Sequence, residues 1–266
     1  MTGRPVLAVL ALVAGLLAGC GDAPAPPTPD DVARAVRAVR DAGTGRYELV
    51  AVRRDAAGTE REVWSAEYDL RRPAYHATGK LDSRAGRGLR GEIVGTSRAA
   101  YQRGFGRPVP DRWVLVPADA PDPSLPVWSR ELLDAGVAPH LPAVLGFRAS
   151  GVPGDVRPDG DGWVVTGTVP RLAAIVVVGI TGAGPDEELR AAYRPGTAPA
   201  RLVLGPDLRV RELRVAGADV VRGAGLPPGL GWKLFPATAT LRLRGTGTPV
   251  TIRTPSPAAR VPLIGP

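Results

Sequence analysis

The chain is poor in the residues that carry most redox, metal and nucleophilic chemistry. Its 266 residues hold one cysteine, one methionine and two histidines. A lone cysteine excludes an intramolecular disulfide, so the fold must be held by its core alone. Lysine is scarce as well: Lys80 and Lys233 are the only two, and arginine carries the formal charge of +8. Aromatic residues make up 5%. No apolar run reaches the roughly 20 residues that a membrane-spanning helix needs. No period of 20–50 residues repeats, which excludes a solenoid.

The gaps extend to catalytic motifs. His76 and His140 have no partner at helical or strand spacing suited to a metal. The G-x-S-x-G elbow and the G-x-x-x-x-G-K-[ST] phosphate loop do not occur. Asp119, Asp122, Asp159 and Asp161 sit in proline- or glycine-rich stretches, where aspartate forms turns. Residues 158–162, PDGDG, lack the ligand ladder and terminal glutamate of a calcium loop. The expectation is a protein that is not an enzyme and has neither cofactor nor metal.

What is present begins at the N-terminus. Arg4 precedes an apolar stretch of twelve residues, Val6 to Leu17, and Leu17-Ala18-Gly19-Cys20 follows. A short apolar run behind a basic start reads as a signal peptide. The aliphatic-small-small-cysteine ending matches a bacterial lipobox, whose thiol accepts diacylglycerol. Residues 1–19 are therefore expected to be a lipoprotein signal peptide and Cys20 the lipidated residue. Each buried CH₂ of an acyl chain contributes about 0.8 kcal/mol of membrane affinity, so two chains anchor stably. Residues 20–29 form a tether, with four prolines in GDAPAPPTP. Extended polyproline geometry would lift the domain about 25–30 Å from the bilayer. Residues 30–266 are expected to form a single domain outside the cytoplasm, lipid-anchored to the cell membrane.

A basic chain raises the question of nucleic acid. Export argues against that partner, and the arginines are spread along the chain rather than clustered. Two readings of the charge remain: a solvated basic surface, or attraction to anionic lipid head groups.

Periodicity supplies the elements. Pro29-Asp30-Asp31 opens a helix with Val32, Ala35, Val36 and Val39 on one stripe, ended by Gly43. Alternation follows in Tyr47, Leu49 and Ala51, then in Trp64, Ala66, Tyr68 and Leu70, then in Tyr75, Ala77, Gly79 and Leu81. Short strands are predicted over 89–94, 99–102 and 113–116. Such a series joined by short turns implies an antiparallel meander. Residues 121–147 carry apolar residues at helical spacing, broken near Pro139 and Pro142. Residues 163–169 read as a strand. Leu172 to Ile180 is almost wholly apolar, either a buried element or a flap over a cavity. Residues 187–193 suit a helical turn. Two hairpins are predicted at the end: 201–204 with 208–215, and 237–244 with 249–253 around Gly245-Thr246-Gly247.

This order of elements, with its lipobox, the "YDL" strand, the "EIVGTSRAAYQR" stretch, the "WVLVP" strand and the closing "VTIRTP", resembles the LolA-like lipoproteins of actinobacteria. That group includes the LppX/LprG lipid carriers. The resemblance covers roughly residues 30–255, and the 170–200 segment fits it least well. It implies an α+β, mainly antiparallel β fold: an incompletely closed β half-barrel with helices across its concave face. It also implies an apolar cavity that binds or carries a lipid ligand by its acyl chains. The alternative is a non-catalytic scaffold or interaction lipoprotein with a filled core; no protein partner is specified. Candidates for the cavity lining are Trp64, Tyr68, Tyr101, Trp113, Leu132, Leu133 and Val176. For Tyr101 and Trp113 plain core packing competes with that role, because strand aromatics commonly fill cores.

Overall fold

The structure is a computed structural model and describes residues 25–55, 58–82, 89–104, 112–117, 138–152, 154–178, 195–223, 237–256 and 259–260. Cys20, Leu132, Leu133 and the predicted turn at 187–193 lie outside the described residues. No described helix is long and apolar enough to cross a membrane.

Helix α1, Pro29–Ala42, starts and stops where its sequence dictates. Thr28 caps it. The Thr28 hydroxyl accepts the Asp31 amide at 3.2 Å, and the Asp31 carboxylate accepts the Thr28 amide at 3.0 Å. These reciprocal bonds satisfy two amide donors that the helix itself leaves unpaired. Gly43 closes the other end in the left-handed region, at φ 74°, where a side chain would be strained. Val32, Ala35, Val36 and Val39 are buried, as their spacing predicts. The Arg71 guanidinium donates to the Ala42 carbonyl at 3.1 Å and fixes the helix end against the turn after the second strand.

The strands are β1 Thr44–Asp55, β2 Gly58–Asp69, β3 Ala74–Asp82, β4 Leu89–Thr96, β5 Ala99–Gly104 and β6 Val114–Pro117. Helix α2, Leu141–Leu145, then precedes β7 Arg148–Ala149, β8 Val156–Asp159 and β9 Gly162–Pro170. Helix α3 is Arg171–Val177. After it come β10 Thr197–Leu204, β11 Val210–Ala216, α4 Gly217–Gly223, β12 Ala237–Arg244 and β13 Ala259–Arg260. All the strands belong to one sheet in the order β13-β6-β5-β4-β3-β2-β1-β12-β11-β10-β9-β7, with β8 beside β9. The order runs from one edge to the other without closing. Among the described residues every pairing is antiparallel except the short one between β13 and β6. The expected open, mainly antiparallel sheet with helices is the architecture observed.

The helices lie on one face. Helix α1 packs on α2, β7 and β11, and α2 on α3 and β9. Helix α3 packs on β9, β10 and β12, and α4 on β10, β11 and β12. The segment from Ala173 to Val178 is buried throughout, so the described part of the 172–180 run is a buried helix. The hairpin of β10 and β11 forms as predicted. The hairpin of 237–244 with 249–253 does not. β12 is flanked by β1 on one side and β11 on the other, so neither edge is open to a further strand. Pro249 also lacks the amide that a ladder requires.

Candidate functional site

The register of β1 to β5 decides which side chains meet on the face that carries the helices. Three rows cross the sheet there. One runs Leu49, Trp64, Gly79, Gly91, Gly104; the next Tyr47, Ala66, Ala77, Ile93, Gln102; the third Gly45, Tyr68, Tyr75, Gly95, Ala100. On β3, β4 and β5 these rows supply nine positions, of which four are glycine and two alanine. A sheet face so depleted of side chains cannot fill the space above it from its own strands.

Three of the four aromatic residues in these rows, Trp64, Tyr68 and Tyr75, lie across a glycine of the neighbouring strand. A Cβ added to Gly79 would sit 2.9 Å from Trp64 Cη2, because the indole covers that glycine from the neighbouring strand. The Tyr75 ring overlaps the position a Cβ would take on Gly95. Tyr68 covers Gly45 in the same manner, with its hydroxyl 2.6 Å from where a Cβ would be. Each ring shields its neighbour's bare backbone, the device by which aromatic residues rescue strand glycines. The result is a low apolar floor. Trp64, Tyr68 and Tyr75 are all buried.

His140 meets this floor from the start of α2. Its Nδ1 lies 2.9 Å from the Tyr47 hydroxyl. Its ring meets the Tyr47 ring edge-on at 5.6 Å between centroids, and the Trp64 ring at 5.7 Å. Burial pulls the imidazole down to about 3, so it is neutral at ordinary pH. Burial likewise pushes the Tyr47 and Tyr75 phenols up. The titratable groups in this layer therefore carry no charge.

Polarity appears at one end of the face, in the two rows beyond Trp64. Arg53 donates to Glu60 at 3.0 Å, and the indole Nε1 of Trp64 donates to Glu62 at 2.6 Å. Burial raises the Glu62 carboxyl above the usual range, against the opposing pull of the Trp64 bond and Arg53. An uncharged floor thus ends at a patch containing one guanidinium and two carboxyls.

The sequence candidates divide by face. Trp64 and Tyr68 belong to the floor. Tyr101 does not: it pairs with Val94, while the inward Ile93 pairs with Gln102. A one-residue offset in register turns a side chain to the other face. Trp113 is on that other face too, with the Arg103 guanidinium 5.0 Å from its ring centroid. Grouping Tyr101 and Trp113 with Trp64 and Tyr68 is therefore corrected. Val176 is buried on α3, which packs on β9, β10 and β12. Reading the sequence for aromatic residues missed His140, and it missed the glycines. The usable signal was glycine on one parity of each strand: Gly79 on β3, Gly91 and Gly95 on β4, and Gly104 on β5. Among the described residues no group of three or more histidine, cysteine or acidic side chains is placed to hold a metal.

Comparison with solved structures finds similarity to LprF from Mycobacterium bovis, at 15% identity and a TM-score of 0.45, covering 88% of this chain and 100% of that one. A DUF1329 family protein from Desulfovibrio piger is similar at 7% identity and TM-score 0.33, covering 82% of this chain and 90% of that one. A beta-barrel-like DUF1849 protein from Brucella abortus is similar at 10% identity and TM-score 0.24, with 75% and 95% covered. No protein-family model matches the chain, and no curated protein matches it.

Proposed function

We propose that the chain is an exported lipoprotein, anchored to the cell membrane through Cys20, that holds acyl chains against the glycine-rich floor of its sheet and performs no catalysis. The observation that carries this reading is the flat packing of Trp64 and Tyr75 over Gly79 and Gly95. Hydrocarbon needs a continuous apolar surface, since exposing each CH₂ to water costs about 0.8 kcal/mol. A flexible chain also needs a smooth surface, without upright side chains to thread between. The patch of Arg53, Glu60 and Glu62 at one end suits the polar end of such a ligand.

The competing reading, a scaffold with a filled core, draws support from the β9–β12 half, where α1, α3 and α4 pack directly on the strands. Mass spectrometry of the chain purified from its own membrane separates the two. The lipid reading predicts a copurifying acyl species in stoichiometric amount, besides the anchor. The scaffold reading predicts none, together with no uptake of an added fatty-acid probe.

A further inference from the structure

The sheet face turned away from the helices is held by cross-strand charge pairs over most of its width. Arg46 donates to Glu67 at 2.7 Å, Arg244 to Glu48 at 3.3 Å and Arg242 to Glu212 at 2.8 Å. Arg214 binds the same Glu212 and also reaches Asp159 at 3.4 Å. Where two cations face each other in this region, at least one of them is bound to a carboxylate. Arg46 and Arg244 stand opposite one another, and each has its own glutamate. Arg214, opposite Arg201, has both Glu212 and Asp159.

On β2 to β5 the face changes shape. Here the same face sinks into a groove of about 530 Å³ whose walls include Ser65, Thr78, Lys80, Arg90, Glu92 and Arg103. Lys80 and Arg90 are directly opposite each other on β3 and β4, a placement that is destabilising for like charges. The one carboxylate of the groove wall, Glu92, is taken by Arg103 and by His76 at 3.3 Å. Lys80 donates to Asp82 at 2.7 Å beside the groove. Lys80 is thus bound to Asp82 and Arg103 to Glu92, which leaves Arg90 as the one groove cation without a carboxylate among the described residues, directly opposite Lys80.

We infer that this groove binds a phosphate group, gripped between Arg90 and Lys80 with the Ser65 hydroxyl as a further donor. A guanidinium presents paired donors that match phosphate oxygens, and an ammonium adds a compact charge. A doubly charged phosphate also removes the Lys80–Arg90 repulsion, which a neutral sugar cannot. The phosphate belongs either to a lipid head group or to a soluble ligand. The groove is on the face opposite the acyl floor, so it stands or falls independently of the lipid reading.

Phosphorus NMR on the full chain in uncharged detergent tests the assignment. One arm titrates inorganic pyrophosphate; the other uses micelles doped with phosphatidylglycerol. A saturable shift of the pyrophosphate signal assigns a soluble ligand, and a saturable shift of the phosphatidylglycerol signal assigns a head group. In either case the K80Q/R90Q double variant binds at least tenfold more weakly while its melting temperature holds or rises, because a repulsive pair is gone. R90Q alone shows the loss in a chain with one change, and R148Q, exposed at the far edge of the sheet, binds like the parent. No saturable shift from either probe, or equal affinity in K80Q/R90Q, overturns the inference.

Discussion

Replacing His140 by phenylalanine isolates the contribution of a neutral imidazole buried in the interior. In the folded chain the group titrates at about 3, whereas an unfolded histidine titrates near 6.5. As pH falls below about 6.5, the unfolded chain takes up a proton that the folded chain refuses. Stability is therefore complete above that point and is lost as pH drops, down to about pH 3. At about 1.36 kcal/mol per unit, acidification to pH 5 costs about 2 kcal/mol, or about 4–8 °C in melting temperature for a chain of this size. Glu62 works in the opposite direction, because its folded carboxyl is raised, so the parent-minus-variant difference is the quantity to read. H140F strands the Tyr47 hydroxyl, which is bonded to Nδ1 at 2.9 Å in the parent. That lowers stability by about 1–3 kcal/mol at pH 7.5. The double variant Y47F/H140F regains most of it, since neither polar partner is then left alone. Thermal melts from pH 7.5 to 5 should show a shallower slope for both variants than for the parent. Parallel slopes for parent and H140F would refute the placement of a neutral His140 in the core.

Two further substitutions probe other parts of the account. Gly95→Val drives side-chain atoms into the space of the Tyr75 ring; overpacking of this kind costs about 1–3 kcal/mol, a fall of about 2–12 °C in melting temperature, and uptake of a fluorescent fatty acid should drop with it. A variant that keeps the parent's melting temperature and uptake would show that the ring is not pinned to the sheet. Cys20→Ala removes the proposed acylation site, so the chain should move from the membrane pellet to the soluble fraction; unchanged pelleting after a carbonate wash would contradict the anchor.

Much of the sheet was legible because its strands alternate. Tyr47, Leu49 and Ala51 do share a face, and so do Trp64, Ala66 and Tyr68, as period two requires. Helix α1 was readable from Pro29, the acidic first turn and Gly43. The errors come where the sequence holds no record of what lies alongside. Tyr101 resembles Trp64 as a strand aromatic, yet parity does not carry across the turn at Ser97 and Arg98. Only the pairing of Val94 with Tyr101 fixes its face. The turn residues Gly245-Thr246-Gly247 suggest a hairpin partner for 237–244, whereas its neighbours, β1 and β11, both lie earlier in the chain. His140 offered no pattern at all, since its importance comes from Tyr47, 93 positions away. The roles of Gly79 and Gly95 come from rings on neighbouring strands, Trp64 and Tyr75, which no local pattern records.

Fluorescence quenching by a brominated fatty acid puts the floor itself to the test. Bromine quenches a tryptophan it touches, and Trp64 is the one tryptophan on the described floor. Saturable quenching in the parent that is largely lost in W64F is the predicted result. Quenching of equal depth in W64F, or none in the parent, would mean that no acyl chain rests on this face.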